Sequence, residues 1–277
     1  MTYQEIVKAL LAAGIESAEW EAQLLLSHFF SADRALILSE RNRTYESELL
    51  SSALERRCKR EPLQYILGEW DFYRQTYEVT PDCLIPRSDT EILVEEAIKR
   101  LPKNAFFADL CTGSGCIAIS VLAERKDTKA YAADKFEKTL NLATRNAEKN
   151  RVRERFTPLC LDVLTDALPD NLTFDAILCN PPYITPSVID GLSPEVHFEP
   201  RAALDGGEDG LIFYRTLLRT MRPHLKTDGF FLFEIGYDQG ESLLSLAREY
   251  DYPTVRILRD LSGNDRVVYI SQERNQQ

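Results

Sequence analysis

The order of apolar and polar residues divides the chain into a helical head and a longer region where strands alternate with helices. Over residues 1–62, apolar side chains recur at helical spacing, which predicts several amphipathic helices. We expect Leu11, Trp20 and Leu49 to lie on the inward faces of these helices. A cationic cluster ends the last of them, namely Arg56, Arg57, Lys59 and Arg60. Because cations are stabilised at a helix C-terminus, we expect this cluster to be solvated.

An aromatic, strand-like stretch follows the head. Residues 63–82 contain Gly68 and several large aromatic side chains, a pattern that predicts a β-hairpin linker. Beyond it, Ser88 and Glu91 have the spacing of a capping box, which predicts a helix that begins there and runs to about Arg100.

The rest of the chain alternates between strand and helix patterns. Seven strands are predicted, at residues 105–110, 129–134, 156–161, 174–179, 229–235, 254–259 and 266–270. Such alternation predicts an α/β fold with a doubly wound, mostly parallel sheet. Ligands of these sheets bind at the carboxyl ends of the strands, near the point where the strand order reverses. Polar or glycine-rich segments follow four of the strands, at 109–115, 134, 162 and 180.

Composition narrows the classes of function. The 277 residues suit one large domain and one smaller one, and we expect boundaries at 1–62, 63–82 and 83–277. A formal net charge of −11 argues against a general nucleic-acid backbone binder, so no direct nucleic-acid binding is expected. No apolar run approaches the length that spans a bilayer, so no membrane partner is expected.

Cysteine and histidine usage indicates a reducing environment and no metal. The six cysteines include no Cys-x-x-Cys pair, and with only three histidines the spacing of a zinc site is absent. The first residues are amphipathic and carry acids, unlike a signal peptide. We therefore expect a cytoplasmic protein.

The sharpest chemical signal is Asn180-Pro181-Pro182-Tyr183, directly after an apolar strand. Both prolines fix their own φ and lack an N–H, so this strand end is stiff and carries free carbonyls, an amide and an aromatic ring. Those groups suit a planar N–H₂ group, as in an amide or a nucleobase amine. The alternative is a proline-stopped strand with a loop tyrosine.

A glycine loop precedes this motif in the chain. Gly113 and Gly115 lie between strand and helix, but Ala118 stands where a dinucleotide fingerprint carries its third glycine, which disfavours a dehydrogenase. Asp134 has the position of an acid that binds ribose hydroxyls, or it caps the helix that follows. A nucleoside ligand without a pyrophosphate, such as S-adenosylmethionine, fits these features. The acids Asp109, Asp134 and Asp162 suit its ammonium, sulfonium and hydroxyl groups.

Several longer motifs carry a resemblance to a known family. They are residues 84–91 (LIPRSDTE), 109–115 (DLCTGSG), 180–183 (NPPY), 198–204 (FEPRAAL), 206–211 (GGEDGL) and 214–215 (YR), with Gly263 and Arg266. With them, nearly the whole chain resembles the release-factor glutamine N5-methyltransferase family (HemK/PrmC).

The resemblance implies a class I methyltransferase sheet and methylation of the glutamine side-chain nitrogen in the Gly-Gly-Gln motif of class-I peptide chain release factors. It implies S-adenosylmethionine as the cofactor, bound by Asp109, Cys111, Thr112, Gly113, Ser114, Gly115, Asp134, Asp162, Val163 and Asn180. We further expect contacts with the substrate from Arg87, Glu199, Asn180, Pro181, Pro182 and Tyr183. We also predict that the helical head and residues 63–82 flank the cleft and help to select the protein substrate. Two positions depart from the family: Cys111 stands where glycine is usual, and Val163 where some members carry an aromatic residue.

The residues by themselves also allow other functions. One is the same chemistry on a glutamine of a ribosomal protein. Another is methylation of an exocyclic amine in RNA or DNA, which the net acidity of the chain disfavours. Arg87 could equally face a cleft or solvent, and Glu199 lies in a long loop of a kind that is uncommon without a function.

Overall fold

A computed structural model describes residues 1–273 of the chain. One compact unit comprises residues 1–69 together with 193–198, and the other comprises residues 70–192 and those from 199 onward. Among the described residues, no helix combines the length and apolarity needed to cross a membrane.

The first unit is a helical bundle. Its helices are α1 (Tyr3–Ala12), α2 (Ala18–Phe30), α3 (Arg34–Ser39), α4 (Glu48–Cys58) and α5 (Leu63–Leu67). Thr2 and Glu5 form a reciprocal capping box that starts α1, and Gly14 follows its end with a φ of +74°. The core of the unit contains Ile6, Leu10, Leu25, Leu26, Ile37 and Leu50.

Three side chains predicted to face inward are exposed instead. Leu11 is 57% exposed, Trp20 46% and Leu49 69%. Adjacent residues on a helix point about 100° apart, so only one of two neighbouring leucines can face the same core. In the pairs 10–11 and 49–50 the buried residue is Leu10 and Leu50, respectively.

The expectation of a solvated cationic cluster is wrong for Arg57. Its side chain is buried, and its Nε and Nη2 donate to Glu21 at 2.6 and 3.1 Å. Its Nη1 donates to Glu195 Oε1 at 3.0 Å, and Arg60 Nη2 donates to Glu195 Oε2 at 2.9 Å. These ion pairs tie the segment 193–198 to the helical unit.

The predicted hairpin is shorter than its segment. Strands β1 (Glu69–Phe72) and β2 (Gln75–Glu78) form it, whereas residues 63–67 are helix α5. Leu63 and Ile66 bury themselves in the helical core, and Gly68, with a φ of +77°, ends the helix. Packing of apolar side chains at helical spacing therefore overrides the strand-like composition there.

The predicted capping box at Ser88 is also wrong. Residues Ser88–Thr90 form a 3-10 turn, and helix α6 (Glu91–Arg100) begins after Thr90 without a side-chain cap. The Glu91 carboxylate accepts instead from the backbone N–H of Tyr73 at 2.8 Å, in the hairpin turn. The acid is thus engaged by another element.

The second unit contains a seven-stranded sheet. Its strands are β3 (Phe106–Leu110), β4 (Lys129–Asp134), β5 (Phe156–Cys160), β6 (Phe174–Cys179), β7 (Leu225–Glu234), β8 (Thr254–Arg259) and β9 (Asp265–Ser271). The helices after α6 are α7 (Cys116–Glu124), α8 (Glu137–Lys149), α9 (Pro186–Ile189), α10 (Ile212–Thr220) and α11 (Gly240–Glu249). Further 3-10 turns lie at Arg153–Arg155, Pro194–Phe198, Arg201–Ala203 and Arg222–His224.

The strand order is β5-β4-β3-β6-β7-β9-β8, and only β9 runs antiparallel to its neighbours. The prediction of a doubly wound, mostly parallel sheet is confirmed. Alternate residues of the strands serve two apolar layers: Phe107 and Leu178 pack with α6, α7 and α8, whereas Ala108 and Ile177 pack with α10 and α11. The chain order reverses between the adjacent strands β3 and β6, and such a switch point is where α/β sheets bind ligands.

Candidate active site

A cavity of about 350 Å³ lies at the carboxyl ends of the central strands. Among the residues that line it are Pro86, Arg87 and Thr90, Cys111 to Ser114, Asp134 to Phe136, Leu161 to Leu164, Asn180, Pro182, Gly207 and Ile212. The ends of β3, β4, β5 and β6 therefore meet at one site, as their positions along the chain predict.

The loop after β3 is held from beneath by Asp109. This carboxylate is fully buried, and its Oδ2 accepts from Thr112 Oγ1 at 2.6 Å and from the Ala118 N–H at 3.1 Å. Asp109 does not line the cavity, and its Oδ1 has no hydrogen-bond partner within residues 1–273. Burial raises the pKa of Asp109 to about 7, because a charge is poorly solvated there.

Two glycines of this loop have different tasks. Gly113 lines the cavity at a φ of +56°. Gly115 does not line it, but a Cβ there would lie 2.8 Å from Ile119 Cδ1 and 3.2 Å from Ala143 Cβ. Gly115 thus permits the close packing of α7 against α8, and Gly113 lets the backbone approach a ligand.

Asp134 joins the loop to the next strand. Its Oδ2 accepts from the Gly113 N–H at 3.0 Å, and its Oδ1 accepts from the Phe136 N–H at 3.1 Å, just before α8. Both sequence-based roles are therefore compatible, since the carboxylate borders the cavity and also satisfies an N–H near the helix start. Burial raises its pKa.

The loop after β5 supplies a charged group and an apolar wall. Asp162 pairs with Lys135 Nζ at 2.8 Å and accepts from the Leu164 N–H, and the lysine lowers the pKa of its carboxyl. Val163 is buried, and Leu161 and Leu164 line the cavity beside it. This wall suits the flat face of an aromatic heterocycle.

The Asn-Pro-Pro-Tyr segment enters the site with two of its side chains. Asn180 and Pro182 line the cavity, whereas Pro181 and Tyr183 do not. Asn180 Nδ2 donates to Thr90 Oγ1 at 3.3 Å, and Tyr183 Oη donates to Glu234 Oε1 at 3.3 Å. Both ends of the segment are therefore anchored by residues that are distant in the chain.

A glycine-rich loop clasps the backbone of this segment. A Cβ on Gly206 would lie 2.6 Å from Tyr183 Cα, and one on Gly210, whose φ is +72°, would collide with the Tyr183 carbonyl. The Gly206 N–H donates to the Ile184 carbonyl at 2.9 Å, and the Ile184 N–H donates to Leu204 at 2.9 Å. Only residues without a side chain allow this approach.

Arg87 and Glu199 form a pair with one member at the cavity. Arg87 lines it and donates through Nη2 to Glu199 Oε1. Glu199 is buried, does not line the cavity, and accepts from the Ile85 N–H at 3.0 Å. Glu199 thus holds Arg87 and the chain before it in place. Among the described residues no cluster of three or more metal-binding side chains occurs.

Comparison with known proteins places the chain in a family. The model of the PrmC N-terminal domain matches residues 2–68, and that of the methyltransferase small domain matches residues 88–192. The release factor glutamine methyltransferase of Geobacter sulfurreducens is 38% identical, covering 94% of this chain and 91% of the relative. That of Moorella thermoacetica is 39% identical, over 95% and 94%. The chain belongs to the release factor glutamine methyltransferase family.

A solved structure agrees with the fold of this glutamine methyltransferase family. The hMettl16 catalytic domain, in complex with a 3′UTR hairpin, superposes with a TM-score of 0.57 at 15% identity, over 83% of this chain and 84% of that one. The class I methyltransferase sheet implied by the resemblance is thereby confirmed.

Cys111, which departs from the glycine that the resemblance implies, has a backbone conformation that favours glycine. Cys111 lines the cavity with a φ of +57°, in the left-handed region that costs an ordinary residue roughly 1–2 kcal/mol. This member of the glutamine methyltransferase family therefore carries local strain that a glycine relieves.

Sequence reasoning about this glutamine methyltransferase missed Thr90 and Glu234. Thr90 lies within the predicted capping box, which assigns it no role, yet its hydroxyl accepts a hydrogen bond from Asn180. Glu234 ends the apolar strand β7 and is almost fully buried, and burial raises its pKa to about 7. A lone acid directly after the run Phe230-Phe231-Leu232-Phe233 was the available signal, since unpaired acids are rarely buried.

Proposed function

We propose that the protein methylates the side-chain amide nitrogen (N5) of the glutamine in the Gly-Gly-Gln motif of class-I peptide chain release factors, with S-adenosylmethionine as the methyl donor. One observation carries the proposal: Asn180 and Pro182 border the same cavity as the loop after β3, the acid that ends β4 and the acid that follows β5. The names of the family members support the substrate.

The residues around the cavity fit this cofactor. S-adenosylmethionine supplies an electrophilic methyl group attached to a sulfonium. Asp134 and Asp162 offer carboxylates to hydroxyl groups, and the apolar wall at Val163 suits an adenine. The Oδ1 of Asp109, beneath a loop formed by Cys111, Thr112, Gly113 and Ser114, has no hydrogen-bond partner within residues 1–273, and a cationic ligand above this loop would favour the ionised form of the carboxyl.

Asn180 and Pro181 orient the substrate in this proposal. An amide nitrogen is a poor nucleophile because its lone pair is delocalised. Two acceptors, the Asn180 side-chain oxygen and the Pro181 carbonyl, each take one N–H of the glutamine amide and favour the positive charge that grows on its nitrogen. The nitrogen becomes acidic as it is methylated, so its proton can pass to solvent water without a strong base. Tyr183 supports the motif through its bond to Glu234.

We propose further that Arg87, held by Glu199, contacts the protein substrate at the cavity wall. Residues 1–62 are proposed to serve substrate recognition, and residues 83–277 to hold the methyltransferase chemistry.

The test is methylation by an Asn180→Ala variant. Loss of one acceptor costs roughly 3 kcal/mol of transition-state stabilisation, so we expect kcat to fall by about 10²- to 10³-fold while binding of S-adenosylmethionine persists. Mass spectrometry of a class-I release factor after incubation measures the modified glutamine, and calorimetry measures cofactor binding, with NAD as the comparison.

Asn171→Ala is the matched control, because Asn171 is an exposed residue that does not line the cavity. It should turn over like the unmodified enzyme. A ribosomal protein and an RNA are assayed in parallel. Near-normal turnover by the Asn180 variant would refute the role of this residue, and preferential methylation of either alternative substrate would refute the release factor.

A further inference from the structure

An asparagine can present either its oxygen or its nitrogen to a substrate, and something must select between them. The Asn180 amide has one acceptor end and one donor end. Its Nδ2 donates to Thr90 Oγ1 at 3.3 Å, which leaves Oδ1 for the cavity. A threonine hydroxyl can itself donate or accept, so Thr90 alone does not determine which way the amide faces.

Glu234 can determine which way the Asn180 amide faces, because an ionised carboxylate only accepts hydrogen bonds. Its side chain is buried at the end of β7, and its Oε1 accepts from Tyr183 Oη at 3.3 Å. Its Oε2 has no hydrogen-bond partner within residues 1–273, and the nearby Thr90 hydroxyl favours the ionised form of this carboxyl. A hydroxyl has one proton, so a threonine that donates to Glu234 can only accept from Asn180.

Arg266 stabilises both Glu234 and the turn that carries Thr90. Its charge favours the ionised form of Glu234. Its Nη2 lies 3.1 Å from Asp89 Oδ2 and 3.2 Å from Asp260 Oδ2, and its side chain is 13% exposed. The ion pair with Asp89 holds the 3-10 turn that carries Thr90.

We propose that Thr90 and Glu234 are positioning residues, which hold the Asn180 amide with its oxygen toward the substrate glutamine and anchor Tyr183 at the same time. The inference rests on the proposed function, since it concerns the orientation of the group that binds the glutamine amide. Neither residue contacts the substrate in this arrangement; both act through the Asn-Pro-Pro-Tyr segment.

The arrangement has a pH signature. Burial raises the pKa of Glu234 to about 7, and the nearby Thr90 hydroxyl, the charge of Arg266 and the hydrogen bond from Tyr183 oppose this rise. Below this pH the protonated carboxyl can itself donate a hydrogen bond to Thr90. The Thr90 hydroxyl is then free to donate to Asn180, and the orientation of the Asn180 amide is no longer fixed. Because the ionised form is the productive one, kcat should rise as pH increases through about 7.

Other charged and titratable groups also lie near Glu234. Arg266 is cationic and pairs with the Asp89 carboxylate. Burial raises the pKa of the phenols of Tyr183 and Tyr214 and of the Cys116 thiol, so all three stay neutral. Burial also raises the pKa of Asp109, under the loop after β3, to about 7, so a rise of kcat near pH 7 is assigned to Glu234 by its loss in Glu234→Gln.

The experiment compares Thr90→Val, which removes the hydroxyl at nearly constant shape, with Thr90→Ser, which keeps it. We expect Thr90→Val to lower kcat by about 10- to 100-fold, with the KM for S-adenosylmethionine changed by less than about threefold, and Thr90→Ser to restore most of the loss. Thr220→Val is the matched control, because Thr220 is remote from the cavity and its hydroxyl donates only within α10.

Glu234→Gln supplies the second measurement. A glutamine keeps the shape but has a donor end, so we expect a lower kcat and loss of the rise near pH 7. A Thr90→Val enzyme with unchanged kcat, or a Thr90→Ser enzyme as impaired as Thr90→Val, overturns the proposal. Should the variants fail to fold, a kcat of the unmodified enzyme that is flat from about pH 6 to 8 overturns it as well.

A result that rejects the proposed function can be distinguished from one that rejects the positioning role. It appears as an absence of release factor methylation by the unmodified enzyme, before any variant is compared. Methylation by that enzyme with no effect at Thr90 and Glu234 rejects the positioning role alone.

Discussion

At the scale of single residues, backbone conformation explains why a position prefers one side chain. Cys111 adopts a φ of +57° between a buried strand and the loop that borders the cavity. It is partly buried against the core layer below α10 and α11, so its thiol contributes some packing. Strain and packing therefore oppose each other at this position.

A pair of substitutions separates these two effects. Cys111→Gly removes the strain and some packing, whereas Cys111→Val adds a β-branched side chain in a conformation that such residues avoid. We expect the valine variant to have a free energy of unfolding lower than the glycine variant by about 2 kcal/mol. Urea denaturation of both variants measures the difference, and equal stabilities would contradict the strain.

At the scale of elements, the site depends on loops that press against strand ends. The loop containing Gly206 and Gly210 lies against the backbone of Tyr183, and Asp134 latches the loop after β3 to β4. Each strand end was evident from apolar runs and from glycine or proline, which are local signals. The predictions of a strand at residues 63–67 and of a capping box at Ser88 are wrong because contacts with other elements determine the structure there.

Gly206→Ala tests whether the glycine-rich loop positions the motif. Its Cβ would lie 2.6 Å from Tyr183 Cα and 2.9 Å from the Pro182 carbonyl, so the backbone must shift. We expect kcat to fall at least about tenfold, with roughly 1–3 kcal/mol lost from the free energy of unfolding.

Gly191→Ala is the control for that variant. Its Cβ would meet only the Val188 carbonyl, at 3.6 Å, which is an ordinary contact. It should keep the turnover of the unmodified enzyme. Equal activities of the two alanine variants, with both folded, would remove the positioning role from the loop.

At the scale of the whole molecule, a helical unit and a methyltransferase unit share one chain. The segment 193–198 belongs to the helical unit through the Glu195 ion pairs with Arg57 and Arg60, although it follows the Asn-Pro-Pro-Tyr segment in sequence. The chain thus returns to its head between the motif and the glycine-rich loop.

Removal of residues 1–62 tests the proposed recognition role. We expect kcat/KM for the whole release factor to fall by about tenfold or more, through KM, because contacts outside the glutamine loop are lost. A short peptide with the Gly-Gly-Gln motif is the control substrate, and its turnover should change much less. Undiminished methylation of the whole factor by a folded, truncated enzyme would exclude the role.

The sequence by itself determined where the strands lie along the chain, the type of sheet and the positions of the loops at its carboxyl edge. These features follow from periodicity and from glycine and proline, whose effects are local. Asn180, the loop after β3, Asp134 and Asp162 were predicted to meet for the same reason, and they border one cavity.

Only the tertiary structure decided which side chains serve each other. Thr90, Asn180 and Glu234 come from three separate segments, and Arg57 meets partners 36 and 138 residues away. Such pairings arise when packing brings distant elements together and a buried polar group must find a partner. No local pattern encodes that choice, which is why the burial of Arg57 and the anchors of the Asn-Pro-Pro-Tyr segment appeared only in the folded protein.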